Sequence, residues 1–241
     1  MTHGHQDAGA VSFFAAGRQI LWQPGLYGYT GGAMRRYVRS NEAHNVVDIP
    51  GATYDTGVAS SLTASKSASA YDLVSVRSTA LPGATWKRTM VHLKGPHVLL
   101  VDDQVTQAQS RTVSQNWQFG SDRSVSTGVN RANTSGPGSD ATVLFVGAPS
   151  LKVVKGATNP MLGWRSERTN AYVKAPTLVA SKKGTSVRLT TIVVPRTTET
   201  ADTVKVLRWA TTSKSRTVDF SVGTAKYRVV FSATSATVTR F

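Results

Sequence analysis

The run TWKRTMVHLKGPHVLLVDDQVTQAQSRTVSQNWQF, residues 85–119, indicates the fold of the chain. It contains three segments, 85–93, 97–105 and 111–119, in which apolar and polar residues tend to alternate. Such alternation is typical of strands that bury one face. Lys94-Gly95-Pro96 is a turn signal between the first two segments. We therefore predict three consecutive antiparallel strands here.

Similar segments, separated by turn signals, recur along the rest of the chain. Residues 10–23 predict a hairpin of two buried strands, and 45–49 predict a short strand, whereas 25–36 and 129–140 are predicted loops. Many short strands with almost no helical periodicity indicate an all-β fold, a large antiparallel β-sandwich with almost no helix. With no clear linker, we expect one domain over 1–241. The other predicted strands are 58–64, 71–78, 142–146, 151–155, 171–174, 177–182, 186–194, 204–210, 216–222, 226–232 and 235–240.

The composition suits a globular chain with an anionic partner. The 241 residues are 40% hydrophobic and include no cysteine, so disulfides and thiolate zinc sites are excluded. No apolar run approaches the roughly 20 residues that a membrane span needs. The net charge of +15 favours nucleic acid, acidic polysaccharide or an anionic surface. No RNA-binding signature, helix-turn-helix pattern or zinc finger is present, so nucleic acid would rest on charge alone.

Most of the residues suited to chemistry lie in the first forty-five. His3 and His5 flank one residue, so on an extended strand their side chains share a face. His44 precedes a predicted strand that can return beside the first hairpin. Two or three imidazoles suit zinc. Asp7 is either a further ligand or a residue that orients an imidazole.

Tyrosines and arginines lie between these histidines. Tyr27 and Tyr29 occupy a Gly-rich loop, and Arg35, Arg36 and Arg39 follow. A tyrosine can act as a general acid or base when nearby positive charge lowers its pKa, and arginine can bind a carboxylate bidentately. The alternative is that the tyrosines pack over the loop while the arginines are solvated.

Other enzyme classes are poorly supported. No Gly-rich loop leads into a helix, which argues against nucleotide binding, and no Gly-x-Ser-x-Gly elbow is present. With three glutamates in the chain, a two-carboxylate hydrolase site would have to draw on Asp48, Asp102 and Asp103. His92 and His97 lie in strand patterns, and we expect them to be structural.

Taken together, the motifs resemble the C-terminal domain of heparinase II/III-like polysaccharide lyases, a group that includes alginate lyases. The first forty-five residues carry the specific part of the resemblance, and later runs support it over nearly the whole chain. The matching motifs are His3-Gly4-His5-Gln6-Asp7, Gly17-Arg18-Gln19-Ile20-Leu21-Trp22-Gln23-Pro24-Gly25, Tyr27-x-Tyr29, Arg36-Tyr37-Val38-Arg39-Ser40, Ala43-His44-Asn45-Val46-Val47, Gly95-Pro96-His97-Val98-Leu99-Leu100-Val101-Asp102-Asp103, Trp117-Gln118-Phe119 and Gly163-Trp164.

The resemblance implies a β-sandwich that packs against an N-terminal α/α toroid, with the active site in the cleft between them. These enzymes cleave uronate-containing polysaccharide by β-elimination. We therefore expect a toroid upstream, an acidic polysaccharide as partner, little activity from this chain alone, and a secreted, extracellular or periplasmic protein whose signal peptide lies upstream.

The resemblance also assigns roles by position. His3 would face the substrate, and Tyr29 or its rival Tyr27 would lie near a catalytic tyrosine position. From their side-chain chemistry rather than from the resemblance, we expect Tyr27, Arg36 and Arg39 to bind substrate. His5 and His44 would bind a structural metal, usually zinc. The third ligand position is Gln23, where the family has Asp, and a neutral amide is the weaker zinc ligand. This departure keeps an alternative open, a non-catalytic carbohydrate-binding or structural sandwich with a degenerate metal site.

Overall fold

The computed structural model describes residues 4–29, 31–196, 204–232 and 235–241. Almost all of its regular structure is strand, and all the pairings are antiparallel. One short α-helix, α1 (Ala33–Arg39), and a 3₁₀ turn, Asn41–Ala43, follow the first hairpin. The strands are β1 (Phe13–Ala15), β2 (Arg18–Leu21), β3 (Val47–Asp48), β4 (Ser61–Ser67), β5 (Tyr71–Ser78), β6 (Ala84–Leu93), β7 (Val98–Gln118), β8 (Ser124–Gly128), β9 (Arg131–Ser135), β10 (Asp140–Val146), β11 (Ser150–Lys155), β12 (Ala157–Thr158), β13 (Met161–Leu162), β14 (Trp164–Arg168), β15 (Ala171–Lys174), β16 (Pro176–Arg196), β17 (Lys205–Thr211), β18 (Arg216–Val222), β19 (Ala225–Phe231) and β20 (Ala236–Arg240).

A ten-stranded sheet forms the centre of the molecule. Its strands run in the order β4-β5-β6-β7-β16-β10-β9-β8, while β3 pairs with β7 and β11 with β16. The two central strands, β7 and β16, have 21 residues each and pair along most of their length. Their register shifts between Gly184 and Ser186, and such a bulge bends a long strand without ending it.

A second sheet, in the order β17-β18-β19-β20, covers one face of the first. Leu100 and Ile192 on the large sheet join Phe220 and Phe231 of the small sheet in one buried cluster. The opposite face of the large sheet is covered by the hairpin β1–β2, which brings Leu21 into a cluster with Trp117, Phe119 and Leu178. The predicted all-β sandwich is therefore confirmed.

Several predicted segments are confirmed and others are wrong. The hairpin within 10–23 forms as β1–β2, and 71–78 is β5. The segments predicted as separate strands around 111 and around 184 are parts of the continuous β7 and β16. The predicted loop 129–140 contains β9, whose polar sequence still buries Ala132 and Thr134 on alternate positions.

The helix α1 was not predicted, because its first residues fall in the loop predicted over 25–36. Met34, Tyr37 and Val38 are buried in it, which is the i, i+3, i+4 spacing of an amphipathic helix. The arginines between them are longer and charged, and they obscure that spacing in the sequence. Among the described residues, no helix is long and apolar enough to cross a membrane.

Candidate functional site

The segment before β1 is fixed against the end of α1 by three hydrogen bonds. The backbone N–H of Gln6 donates to the carbonyl of Arg39 (2.8 Å), and the Arg39 Nε donates to the carbonyl of Gly4 (2.9 Å). The N–H of Asn41 donates to the Gln6 side-chain oxygen (3.0 Å). Because these bonds hold both sides of His5, its ring has a defined position beside the turn that carries His44.

The two imidazoles face each other. Nδ1 of His5 lies 3.1 Å from Nε2 of His44, and the rings are T-shaped with centroids 5.2 Å apart. Nδ1 of His44 lies 2.7 Å from the carbonyl oxygen of Ser40, an acceptor, so this nitrogen carries the proton. With the proton on Nδ1, the lone pair of the His44 Nε2 is directed at His5. Metal-ligating histidines are usually arranged in this way, with one ring nitrogen donating to an acceptor and the other directed at the metal.

Asp7 completes a group of three side chains that could hold a metal ion. One ligand atom from each of His5, Asp7 and His44 lies within 4.8 Å of the others. Burial is the largest cause that lowers the pKa of His5, and burial lowers the pKa of His44 to about 4. Both rings are therefore neutral at neutral pH, the form that binds metals. The donor set of two imidazoles and a carboxylate fits zinc.

Gln23 follows β2 and is tied to the same region. Its amide Nε2 donates to the carbonyl of Val11 (2.9 Å), an acceptor that it shares with the Nδ2 of Asn45 (2.7 Å). The Gln23 Oε1 is buried and has no hydrogen-bond partner within the described part of the chain. A buried acceptor oxygen without a hydrogen-bond partner is compatible with binding to a cation. After the donor set of His5, Asp7 and His44, it is the second feature that fits a metal ion.

Asn45, to which the sequence reasoning gave no role, fastens the site to the sheet. Its side chain is fully buried. The Nδ2 donates to the carbonyls of Val11 and Trp22, both at 2.7 Å, and the Oδ1 accepts from the N–H of Gln118 at 2.6 Å. Its position next to His44 in the Ala-His-Asn motif was the available signal, since a buried amide with three partners fixes the backbone around it.

Three arginines line an open groove beside this histidine pair. Arg35, Arg36 and Arg39 of α1 project into a cavity of about 510 Å³, which we call the arginine groove. The rest of its lining consists of Gly4, Gln6, Gly31, Gly32, Ser40 and Thr56. His3, the predicted substrate-facing residue, lies outside the described residues.

The two candidate tyrosines occupy different surroundings. Tyr29 is 62% exposed, and the guanidinium of Arg35 lies 5.3 Å from its ring centroid. Tyr27 is half-buried and packs near Tyr172 (ring centroids 5.8 Å apart) as part of the apolar contacts under α1. Tyr29 therefore lies beside Arg35, whereas Tyr27 packs over the loop, as the alternative interpretation of these residues predicts.

Tyr37, which no sequence argument singled out for a role, anchors α1 to the junction between β13 and β14. Its hydroxyl accepts from the backbone N–H of Gly163 (3.2 Å) and of Trp164 (3.4 Å). Burial is the main cause that raises the pKa of Tyr37 to about 12, so the hydroxyl stays protonated. The residue positions the arginine-bearing helix.

Asp102 and Asp103, considered for a hydrolase site, are structural. Asp103 and Arg88 form a fully buried bidentate ion pair (2.7 and 2.8 Å). Asp102 is buried and bonded to Arg188 at 2.7 Å. His92 and His97, predicted to be structural, stack on each other with ring centroids 5.9 Å apart.

The chain is similar to known proteins both in sequence and in fold. The model of a family described as heparinase II/III-like, C-terminal, matches residues 1–210. No curated protein matches the sequence. Solved structures similar in fold include the heparan sulfate lyase HepC from Pedobacter heparinus (TM-score 0.81, 16% identity, 97% of this chain and 38% of that one) and a heparinase III (0.80, 16%, 96% and 37%). The chain thus spans less than two fifths of the length of these proteins.

Proposed function

Because the chain belongs to the heparinase II/III-like C-terminal family, we propose that it is the β-sandwich part of a polysaccharide lyase that cleaves uronate-containing acidic polysaccharide by β-elimination. On this proposal, residues 1–241 form one domain and contribute one wall of the active-site cleft. An α/α toroid encoded upstream forms the other wall. The similar solved structures, a heparan sulfate lyase and a heparinase III, support this class of reaction and substrate.

The arginine groove beside the His5–His44 pair is the observation that carries the proposal. β-Elimination removes the C5 proton of a uronate and needs the adjacent carboxylate neutralised. Arg36 is exposed and Arg39 half-buried on one side of the groove, where they can bind carboxylate or sulfo groups. The net charge of +15 would concentrate a polyanion near this surface.

Proton transfer is assigned to His3 and Tyr29. His3, which lies outside the described residues, would neutralise substrate charge or share the proton transfer. Tyr29, with Arg35 near its ring, would act as acid or base. Protonation of the leaving O4 completes the reaction, and the toroid would supply the groups that work with His3 and Tyr29.

A zinc ion at His5 and His44 would have a structural role, with Gln23 or Asp7 as the third ligand. When bound, it would cross-link the segment before β1 to the turn before β3 and so hold the wall of the cleft in place. The steps of the β-elimination itself are assigned to side chains of this chain and of the toroid. The location that fits this reaction is extracellular or periplasmic, where such polymers occur.

The test is lyase activity of this chain expressed with the sequence that precedes it in its gene. Heparan sulfate, heparin, alginate and hyaluronan are offered in turn, and the ultraviolet absorbance of an unsaturated uronate product is followed. We expect one polymer to be cleaved, and the Arg36→Gln variant to raise KM more than it lowers kcat. A protein that binds a uronate polymer but cleaves none would overturn the lyase and favour the carbohydrate-binding sandwich. The observation that favours the carbohydrate-binding sandwich is the neutral Gln23 at the position where the family has Asp.

A further inference from the structure

A second basic groove lies where the two sheets of the sandwich diverge. It has a volume of about 530 Å³ and is bounded by β7, β16 and the turn between β17 and β18. Four cationic side chains line it together with several hydroxyls, and it shares no lining residue with the arginine groove. We call it the inter-sheet groove, and its cations are Lys182, Lys183, Arg188 and Arg216.

The positive charge of this groove is only partly balanced. Asp102 is bonded to Arg188 through Nε (3.0 Å) and Nη2 (2.7 Å). Arg216, which is 5% exposed, donates instead to the hydroxyls of Thr190 (2.8 Å) and Thr211 (3.0 Å). Among the ion pairs of the described residues, none includes Lys182, Lys183 or Arg216. Four cations therefore face one carboxylate.

The unbalanced cations also repel one another. Burial lowers the pKa of Lys182, and the charge of Arg216 lowers it further. Burial also lowers the pKa of Arg216; the charge of Asp102 opposes this change and that of Arg188 adds to it. An anion bound between them would relieve this repulsion, and the partly desolvated setting strengthens its attraction to the cations. Hydroxyls such as Thr106 and Ser186 add donors for the oxygens of a sulfo or carboxylate group.

An exposed indole extends the groove on one side. Trp209 of β17 is 48% exposed, and the guanidinium of Arg216 lies 5.5 Å from its ring centroid. The same residue lines an adjoining cavity of about 450 Å³ that also contains Lys205 and Arg208. A half-exposed indole offers an apolar surface to the C–H face of a sugar ring while cations hold the charged substituents.

We propose that the inter-sheet groove is a second binding site for acidic polysaccharide, with sulfo or carboxylate groups between Lys182, Lys183 and Arg216 and a sugar ring on Trp209. This second site rests on the proposed function in one respect only, namely that the chain encounters an acidic polysaccharide. A second site on the same chain raises the effective concentration of a long polymer at the arginine groove without any new contact there.

The test is the affinity of the purified chain for a heparin hexasaccharide by calorimetry at fixed salt. We expect the double variant Lys182→Gln, Lys183→Gln to bind about fivefold to tenfold more weakly. The matched control is Lys152→Gln, Lys226→Gln, two exposed lysines that line neither groove; its affinity should change less than about twofold, because exposed charges are screened. Equal losses in both double variants would overturn the proposal.

Two further variants separate this site from the lyase reaction. Trp209→Ala should weaken hexasaccharide binding with an unchanged thermal unfolding midpoint, since the indole is half-exposed. If Arg36→Gln lowers affinity and the lysine double variant does not, the second site is overturned while the lyase proposal stands. If the lysine variant loses affinity while no uronate polymer is cleaved by the longer protein, the lyase proposal fails and the second site stands.

Discussion

Nε2 of His44 lies 3.1 Å from Nδ1 of His5, although 39 residues separate the two histidines in the sequence. The contact joins the segment before β1 to the turn before β3. The carbonyl of Ser40 fixes the tautomer of His44, and burial keeps both rings neutral. The pair is therefore organised as metal ligands are, with Asp7 near enough to take part.

The first prediction concerns metal content. We expect about one zinc per chain by elemental analysis, and none in the His5→Ala, His44→Ala double variant, because two imidazoles provide most of the affinity. His92→Ala, His97→Ala is the control, since those rings stack elsewhere in the fold. Equal zinc in the wild type and in the first double variant would contradict the assignment.

The second prediction concerns the amide at position 23. Gln23→Asp should raise zinc affinity by roughly tenfold or more, because a carboxylate is a better zinc ligand than a neutral amide. Gln23→Asn is the matched control for the shorter side chain and should not raise it. Competition with a chromophoric chelator measures both. No gain with Asp would mean that the side chain at position 23 does not reach the metal.

The third prediction concerns the anchor of α1. Tyr37→Phe removes the acceptor for the N–H groups of Gly163 and Trp164, and leaving buried donors unpaired should cost about 1–3 kcal/mol of unfolding free energy. Because α1 carries the arginine groove, oligosaccharide affinity should also fall. Tyr172→Phe, at a half-exposed ring, is the control measured beside it in urea. Unchanged stability in Tyr37→Phe would show that the hydroxyl bonds are dispensable.

The fourth prediction concerns the buried ion pair. Asp103→Asn leaves the Arg88 charge uncompensated at a site where both side chains are fully buried, so we expect a loss of about 3–5 kcal/mol. Asp72→Asn, at the exposed pair with Lys94, should leave the urea transition close to that of the wild type. Similar transitions for the two variants would contradict this account of Asp103.

The alternation of apolar and polar residues was enough to predict the sandwich, but it could not predict where long strands continue. The gap between the predicted strands 177–182 and 186–194 falls at Lys183-Gly184, yet both residues lie inside β16. Gly184 is paired with Arg111, and the extra residues at the irregularity, 107–110, belong to β7. The strand β9 was missed because its Asn, Thr and Ser residues have the composition of a loop, although pairing with β10 buries alternate positions. Tertiary pairing overrode local preference in both cases.

The candidate site was predicted in part. The proximity of His44 to His5 was expected from the strand pattern and again from the resemblance, and the structure brings the two together. Asn45 and Tyr37 were missed because their roles depend on partners far along the chain, the N–H of Gln118 for one and of Gly163 for the other. A single sequence gives no measure of such distances, so a buried polar anchor looks like any other polar residue.

The last prediction concerns pH. Burial, and secondarily the charge of Glu42, raises the pKa of Asp48 to about 6 from 3.8. The native carboxyl thus holds its proton more tightly than the unfolded one, so its contribution to stability is complete below about pH 4 and is lost as the pH rises through about 6. Asp48→Asn has no such loss. From pH 4 to pH 7, the unfolding free energy of the variant should rise relative to the wild type by up to about 3 kcal/mol.

Urea titrations at several pH values measure this difference, and Glu42→Gln gives a graded comparison. Removing the Glu42 charge should shrink the pH dependence of the wild type without abolishing it, because burial is the larger cause of the raised pKa. Asn at position 48 keeps an oxygen that can accept from the Asn41 Nδ2, which lies 3.2 Å from the Asp48 Oδ1, so the local bonding survives the change. Parallel curves for the wild type and Asp48→Asn from pH 4 to pH 7 would show that the Asp48 carboxyl titrates alike in the folded and unfolded chain.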